Sequence, residues 1–483
     1  MKKPKKIIMY LCVVGMMVSV SWGAVSAKKP YEGVTLRWLI GTGHNEAVLK
    51  VNEKYIKEKL GITIVPDAEP SPTHYALAMR DWMSGGGNYD IVTLFPRWNG
   101  EFMGMGYLMP LNDFMDNDKV AWDGYNDIIE KYRKALCEWG GKIYAYVQDG
   151  DAAIMYYRKD ILGNPEYRAK FKAKYGYDLP VPPKTWKQLM DVADFFNGWD
   201  WDGDGEVEYG IAFHPWHQDT LMVTFTTLYM SRSNGKLLFD KDMHPQINNK
   251  YGIETLNIMK HLYKDMPPGW LGYTWTESFS TFIEGHVAIS LNYGDIGRTV
   301  LNPGTFAGSG GPQLKPKIGY SLWPATYHNG KPVIYDPVFF GRIMGIPRFS
   351  KHPRAAFEVI KEISRPERKI LHCSNIRSGT DIFAYSLMDP KKWTINIDPV
   401  FIKTYIKALD YGVPDIMIPS SEQYYRLLGA QVQKFLTGEQ DAKTTLARIE
   451  SDWETATDRL GREKMKIAWE SYVKNMVKLG FRL

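Results

Sequence analysis

The sequence predicts an α/β protein of two or three domains, on three observations. The chain has 483 residues, of which 44% are hydrophobic and 24% are charged, a balance typical of globular proteins with a large core. At about 100–200 residues per domain, this length exceeds a single domain. Strand-like apolar runs alternate with helical patterns along the chain, as they do in α/β proteins.

The N-terminal part of the chain shows this alternation most clearly. Val34–Ile40 is predicted to form a strand, and apolar residues then recur at helical spacing over 48–56. Ile62–Val65 follows as the next strand. A helix over Thr73–Met83 ends at a run of glycines, and Asp90–Leu94 is predicted to be a buried strand of parallel type.

Later segments extend the same pattern. Thr185–Gln188 has the spacing of a capping box, which predicts a helix that begins there and runs to about Phe196. Near the C-terminus, Leu446, Ile449 and Trp453 recur on one helical face. The sequence contains no internal repeat and no low-complexity tract, which excludes a solenoid.

Residues 1–27 are predicted to form a cleaved signal peptide. Four of the first six residues are lysine, an uncharged apolar run follows over Ile7–Trp22, and Val25-Ser26-Ala27 provides a small-residue cleavage site. An uncleaved membrane anchor is the alternative, and it is disfavoured because the apolar run is short for a span. We therefore expect a mature protein that begins at Lys28 and is periplasmic or secreted.

The net charge and the cysteine count of the mature chain exclude several classes of protein. Removal of the four N-terminal lysines lowers the formal net charge from +6 to +2, which leaves no basic excess for nucleic acid or anionic membranes. Cys137 and Cys373 then remain, too few for a disulfide scaffold or a zinc-ligand set. Two alternatives stay open for these cysteines: a disulfide between them, or two buried free thiols.

Six short motifs follow one another along the chain at compatible spacing. They are Tyr89-Asp90-Ile91-Val92, Gly106–Leu111, Gly141–Tyr146, Tyr156–Asp160, Pro183–Trp186 and Phe282–Ala288. In this order they resemble the extracellular solute-binding proteins of ABC importers, specifically the large sugar-binding family that includes the maltodextrin-binding proteins. The resemblance covers nearly the whole mature chain.

The resemblance implies a two-lobed α/β fold of the periplasmic-binding-protein kind, type II, with the ligand cleft between the lobes. Lobe 1 would hold 28–147 plus 343–388, and lobe 2 would hold 148–342 plus 389–483. It also implies a monomeric receptor that performs no chemistry, binds a sugar or oligosaccharide and delivers it to a membrane permease.

The candidate ligand residues combine polar planar groups with aromatic rings, as sugar sites do. Those that follow predicted strands or crossovers are His44, Asn45, Arg97, Trp98, Asp149, Trp216, Asn292, Tyr293 and Arg342. By resemblance, Asp151 falls where the maltodextrin-binding proteins place a sugar-binding carboxylate, and Tyr425 where they place a stacking tryptophan. Asp295 falls where that family has an aromatic, so the ligand is expected to differ from maltodextrin. If both arginines face the cleft, an acidic sugar is favoured.

An acidic loop is the sharpest local motif. Asp200, Asp202 and Asp204 occupy the first, third and fifth positions of an EF-hand-type calcium loop, with glycine at the sixth. Glu206 and Glu208 follow, whereas the twelfth position is isoleucine and cannot bind an ion. We expect one structural Ca²⁺ here, and the alternative is a solvated acidic turn without an ion.

Two other functions stay open at this point. A secreted carbohydrate-active enzyme could use Asp149, Asp151 or Glu284 as paired acids. This is disfavoured for Asp149 and Asp151, because residues two apart on an extended segment point the same way, whereas glycosidase carboxyls flank a bond. A peptide-binding receptor of the same transport class is the second alternative.

Overall fold

The computed structural model describes residues 29–116, 122–214, 218–337 and 341–481, so the predicted signal peptide lies outside the described residues. The strands are, in chain order, β1 (Thr35–Gly41), β2 (Thr63–Glu69), β3 (Ile91–Leu94), β4 (Glu138–Trp139), β5 (Lys142–Ile143), β6 (Ala145–Asp149), β7 (Ala153–Arg158), β8 (Tyr209–Ala212), β9 (Val287–Tyr293), β10 (Ile318–Ser321), β11 (Thr326–His328), β12 (Lys331–Val333), β13 (Asp336–Pro337), β14 (Arg342–Gly345) and β15 (Gly412–Val413). The helices are α1 (Ala47–Leu60), α2 (Ser71–Ser84), α3 (Asn99–Phe102), α4 (Asn112–Asp116), α5 (Asp123–Asn126), α6 (Glu130–Tyr132), α7 (Lys159–Leu162), α8 (Pro165–Tyr175), α9 (Trp186–Phe196), α10 (Gln218–Ser233), α11 (Lys250–Lys264), α12 (Trp275–Ile283), α13 (Asp295–Thr299), α14 (Pro353–Ile363), α15 (Pro366–Cys373), α16 (Pro399–Ala408), α17 (Ser421–Leu436), α18 (Ala442–Leu460) and α19 (Arg462–Lys478).

The first sheet has the strand order β2-β1-β3-β14-β6. β1 pairs in parallel with β2 and β3, whereas β14 runs antiparallel to both β3 and β6. The helices between the parallel strands end at glycines in the left-handed region, Gly61 after α1 and Gly85 after α2, where a residue without Cβ is favoured. The predicted strand–helix–strand pattern of this region is therefore confirmed.

The second sheet has the strand order β10-β7-β9-β8. Every residue of β7 and β9 is buried, because helices such as α12 and α16 cover these strands. This explains why both strands appear in the sequence as nearly continuous apolar runs without alternation.

Each sheet forms the core of one lobe of a two-lobed α/β fold. The chain passes from β6 in the first sheet to β7 in the second through residues 150–152, and β14 returns to the first sheet after β10–β13. The lobe boundaries given above stay a prediction.

The capping box predicted at Thr185 forms only in part. Thr185 caps α9 by accepting the N–H of Gln188 at 3.1 Å, but the Gln188 side chain accepts the N–H of Lys184 and not that of Thr185. Half of the predicted capping box therefore forms. Cys137 and Cys373 are both buried and free. Among the described helices, none has the length and apolar character needed to cross a bilayer.

Candidate functional site

A small polar pocket lies at the carboxyl ends of three neighbouring strands of the first sheet. β1, β2 and β3 are aligned in one direction, so their last residues meet at one edge, the usual ligand edge of an open α/β sheet. The pocket has a volume of about 50 Å³ and is lined by Gly41, Thr42, Asn45, Glu69, His74, Thr93, Leu94, Phe95 and Arg342. We call it the strand-end pocket.

Two buried atoms of this pocket have no hydrogen-bond partner among the described residues, Oδ1 of Asn45 and Nε2 of His74. Burial lowers the pKa of His74 to about 4, so its ring is neutral at physiological pH. A neutral imidazole and an amide oxygen can both bond to a hydroxyl group. Because buried polar atoms are normally satisfied, the pair is suited to a polar ligand.

Arg342 connects the strand-end pocket to the crossovers between the lobes. It begins β14, lies 5.1 Å from the ring of Phe95, and donates to Oδ2 of Asp149 at 2.6 Å. The other oxygen of Asp149 accepts the N–H of Asp381 at 2.7 Å. Asp149 is therefore fully engaged in positioning Arg342 and the loop that contains Asp381.

Three further carboxylates, Asp151, Asp295 and Asp381, come together where the crossovers meet. We call them the crossover cluster. Each offers an oxygen within 4.8 Å of the others, and all three residues are buried. Burial raises the pKa of Asp295 to about 6 and that of Asp381 well above its ordinary value, and the neighbouring carboxylates raise the pKa of Asp381 further.

The predicted residues at the end of β9 are tightly packed. The amide of Asn292 donates to the hydroxyls of Ser278 and Ser290 at 3.1 and 2.9 Å. The ring of Tyr293 stacks on His214 with centroids 5.0 Å apart. Both side chains are thus held by neighbours within lobe 2, and their contact with a ligand stays a prediction.

Arg97 and Trp98 do not line the strand-end pocket; they contact α17, which packs on α10 and α18. Nε of Arg97 and Nε1 of Trp98 donate to the same oxygen of Glu422, at 3.0 and 2.9 Å. Burial alone would raise the pKa of Glu422, but Arg97 and these hydrogen bonds lower it below the ordinary value. These residues therefore connect the segment after β3 to α17.

Tyr425 lies on the same helix, close to this contact. Its ring is buried, and the guanidinium of Arg97 lies 5.8 Å from the ring centroid. Its hydroxyl accepts the N–H of Ile416 at 3.0 Å. The predicted stacking of Tyr425 on a sugar stays a prediction.

The acidic loop, Asp200–Glu208, brings together four of its five predicted metal ligands. Asp200, Asp202, Asp204 and Glu208 each offer an oxygen within 4.8 Å of the others. Glu208 is 1% exposed, and its Oε2 accepts the N–H of Trp201 at 2.9 Å. Its Oε1 is buried and has no partner in the described part of the chain. Glu206 is exposed and is not part of this set.

Two predicted site residues cannot be placed, because Trp216 and the side chain of His44 lie outside the described residues.

Three residues of the site were not predicted from the sequence: His74, Asp381 and Glu422. His74 falls in a predicted helix, and neither Asp381 nor Glu422 belongs to a recognisable motif, so no local signal marks them. A histidine in the first turn of the helix that leads away from β2 was the one available hint for His74.

Two sheet-centred lobes with a polar pocket at a strand edge define a class, the two-lobed binding proteins that hold a ligand between their lobes. Within this class, a family model for the bacterial extracellular solute-binding proteins matches residues 41–369. The chain therefore belongs to that family.

Individual relatives are distant. The sn-glycerol-3-phosphate-binding periplasmic protein UgpB of Agrobacterium fabrum is 25% identical over 247 residues, 48% of this chain and 52% of the relative. A probable ABC transporter-binding protein of Deinococcus radiodurans is 24% identical over 228 residues, 47% of this chain and 48% of the relative. The chain spans about half the length of these curated relatives.

Solved structures match over a larger share of the chain. An ABC transporter solute-binding protein of Agrobacterium radiobacter, in complex with ribitol, has a TM-score of 0.72 at 22% identity and covers 89% of this chain and 100% of its own. Maltose-bound T. maritima MalE3 has a TM-score of 0.69 at 19% identity and covers 88% and 100%. At these identities the matches establish the two-lobed fold.

Proposed function

We propose that the protein is an exported receptor that binds a saccharide or sugar alcohol between its lobes and delivers it to an ABC permease. One observation carries the proposal: buried Asn45 Oδ1 and His74 Nε2 have no hydrogen-bond partner among the described residues, and they lie in the strand-end pocket with Arg342 and Phe95. Amide, imidazole and guanidinium groups next to an aromatic face are the groups that bind hydroxyls and C–H surfaces of sugars.

The size of the strand-end pocket indicates what part of a ligand it takes. A cavity needs roughly 10–15 Å³ per water-sized group, so about 50 Å³ accommodates a few hydroxyl-bearing atoms and not a sugar ring. Micromolar affinity requires roughly −8 kcal/mol, more than this pocket supplies. The rest of the ligand is therefore expected between the lobes, where Asp151 is the proposed hydroxyl acceptor and Tyr425 the proposed platform.

The comparisons support this ligand class without identifying the ligand. The matching solved structures hold ribitol or maltose, whereas one curated relative is named for a phosphorylated glycerol. Polyhydroxylated small molecules are common to these names. The proposal includes export through the predicted signal peptide, a monomeric state and a transient contact with the permease.

We also propose that the protein performs no chemistry. A glycosidase needs two carboxyl groups free to act on opposite sides of a bond. Here Asp149 is occupied by Arg342 and by the N–H of Asp381. If the purified protein hydrolysed a polysaccharide, it would be an enzyme and not a receptor. Preferential binding of oligopeptides would favour the peptide receptor.

We further propose that the acidic loop holds one structural Ca²⁺. Four carboxylates converge there. Oε1 of Glu208 is buried and has no hydrogen-bond partner in the described ranges, so it can supply the ligand that the isoleucine at the twelfth position cannot. Ca²⁺ binds six to eight oxygens at 2.3–2.6 Å, and carboxylates crowded in one turn repel each other unless a cation neutralises them.

His74→Ala should weaken binding of the cognate sugar about 5- to 150-fold. The substitution removes one hydrogen bond of roughly 1–3 kcal/mol to a hydroxyl in a buried pocket. Screening of mono- and oligosaccharides and sugar alcohols by thermal shift identifies the ligand, and calorimetry then measures the loss.

His352→Ala is the matched control, because His352 is exposed and its side chain caps no backbone group. It should bind the sugar as the wild type does. Equal affinity of the wild type and His74→Ala would remove the strand-end pocket from the ligand site.

A further inference from the structure

The crossover cluster joins three segments that are distant in sequence. Asp151 lies in the link between β6 and β7, Asp295 follows β9, and Asp381 lies in the loop after α15. Their residues are 4%, 7% and 1% exposed, respectively, so bulk water does not compensate their charges. Neither the proposed hydroxyl acceptor role of Asp151 nor the acidic loop explains why these three carboxylates converge.

Asp381 is the member of the cluster whose carboxylate is least compensated by hydrogen bonds. Both of its carboxylate oxygens are buried and accept no N–H or hydroxyl hydrogen of the described residues, and the group within hydrogen-bonding reach of this carboxylate is the side chain of Asp151. Arg298, the nearest cation, is 3.9 Å from Oδ1 of Asp381. The guanidinium of Arg298 instead donates to the backbone carbonyls of Cys373, Asn375 and Ser378.

The nearby hydroxyls do not compensate the cluster. Tyr132 donates to the backbone carbonyl of Asp151 at 3.1 Å, and Tyr405 donates to the carbonyl of Gly150 at 3.0 Å. These donors thus satisfy the backbone of the crossover. A buried carboxylate that lacks donors is costly unless a charge pairs with it.

The charges of the region do not balance. Asp149 and the three members of the crossover cluster bring four carboxylates, and Arg298 and Arg342 bring two guanidiniums. If all are ionised, an excess of two negative charges is buried among the described residues. One divalent cation would neutralise it, and two protons would do the same.

The spacing of the cluster is compatible with one shared metal ion. Two ligands of one Ca²⁺ at 2.3–2.6 Å can lie at most about 5 Å apart, and the cluster oxygens all lie within 4.8 Å of one another. Gly294 allows the carboxylate of Asp381 to pack against the backbone here, because a Cβ at this position would lie 2.5 Å from Oδ2 of Asp381. We infer that Asp151, Asp295 and Asp381 bind one divalent metal cation that ties the crossovers of the two lobes together.

The ion would be a hard cation, because every protein ligand is a carboxylate oxygen. Its coordination would use both oxygens of Asp381, which no N–H or hydroxyl group of the described residues occupies, and the ion would take the place of a proton between Asp151 and Asp381. The inference goes beyond the proposed sugar receptor, and it is tested in the absence of any sugar. Its failure therefore leaves the sugar proposal untouched.

The test counts bound Ca²⁺ on the mature chain after chelator treatment and equilibrium dialysis at neutral pH. Asp202→Ala first removes the acidic loop as a source of bound ion. This variant should retain one Ca²⁺ per chain, and addition of Asp381→Asn should abolish it. Addition of Asp336→Asn is the matched control, because Asp336 is an equally buried carboxylate outside the cluster, and it should leave the ion bound.

Terbium luminescence of the Asp202→Ala protein gives a second readout that does not require the double variant to fold. Tyr132 and Tyr405 lie beside the cluster and should sensitise a bound Tb³⁺, which Ca²⁺ should displace. If Asp202→Ala binds no ion and shows no sensitised emission, the cluster is held by protons and the inference is wrong. Retention of the ion by the folded Asp202→Ala/Asp381→Asn variant would overturn it equally.

Discussion

The acidic loop and the crossover cluster each bring carboxylates close together, but in opposite environments. In both, the ligand oxygens lie within 4.8 Å of one another. The three aspartates of the loop are exposed, and the carboxylate of Asp200 accepts the N–H groups of Gly203 and Gly205 at 2.6 and 3.0 Å. The members of the crossover cluster are all buried, and Asp381 lacks such donors among the described residues.

The difference shows that geometry alone does not set how much a site needs an ion. Water and salt screen exposed carboxylates, so the loop can persist without a cation at modest cost. Buried carboxylates must be neutralised by protons or by a cation, because desolvation disfavours their ionised form. We therefore expect the crossover cluster to couple to pH and metal more strongly than the acidic loop.

The largest expected effect is a pH dependence of stability that Asp295 confers in the presence of chelator. Burial raises the pKa of Asp295 from 3.8 to about 6, so the folded state retains a proton that the unfolded state releases. The free energy of unfolding should therefore fall, relative to Asp295→Asn, by on the order of 3 kcal/mol as the pH rises from about 4 to about 7.

The comparison with Asp295→Asn is needed because buried histidines act in the opposite direction. Burial lowers the pKa values of His74, His214 and His372 to about 4, 3 and 3, so stability rises with pH in both proteins. Urea unfolding at each pH measures the difference. Saturating Ca²⁺ should abolish it, and a difference that does not change with pH would contradict the burial argument.

A smaller effect is expected from the acidic loop. Asp202→Ala should lower the free energy of unfolding in Ca²⁺ by roughly 1–2 kcal/mol, for an ion present at about ten to thirty times its dissociation constant. The difference from the wild type should be much smaller after chelation, because the acidic loop then lacks its ion in both proteins. Thermal unfolding with and without chelator measures both values, and no effect of Asp202→Ala in Ca²⁺ would leave the loop as a solvated turn.

The smallest effect separates the two glutamates of the loop. Glu206→Gln should change stability in Ca²⁺ by less than about 0.5 kcal/mol, because Glu206 is exposed and outside the ligand set. Glu208→Gln retains an acceptor for the N–H of Trp201 but removes the charge, and it should weaken Ca²⁺ binding. Calorimetric titration of both variants with Ca²⁺ compares them directly, and equal affinities would remove Glu208 from the site.

Much of the fold was predictable because its signals are local. The helical spacing over 48–56 and the apolar run Asp90–Leu94 identify α1 and β3, and the apolar stripe Leu446, Ile449 and Trp453 is buried in α18. The acidic loop was predictable for the same reason, since its ligands lie within nine residues.

The strand-end pocket was only partly predictable. Asn45 follows a predicted strand and Arg342 lies at a predicted crossover, and both line the pocket. Arg97 and Trp98 follow β3 in the same way, yet they contact Glu422 of α17. Whether a side chain after a strand faces the pocket or a neighbouring helix depends on packing across the lobes, which spacing along the chain does not encode.

The sequence by itself determined the strands and helices of the N-terminal region, several later helices and the acidic loop, because hydrophobic periodicity, glycine stops and carboxylate spacing act within a few residues. The tertiary structure alone decided the crossover cluster, the place of His74 in the strand-end pocket and the partners of Arg97. Asp151, Asp295 and Asp381 are separated by more than eighty residues at each step, and they meet because the chain crosses between two sheets. Their burial, and the resulting rise in their pKa values, exists only once both lobes are folded and packed.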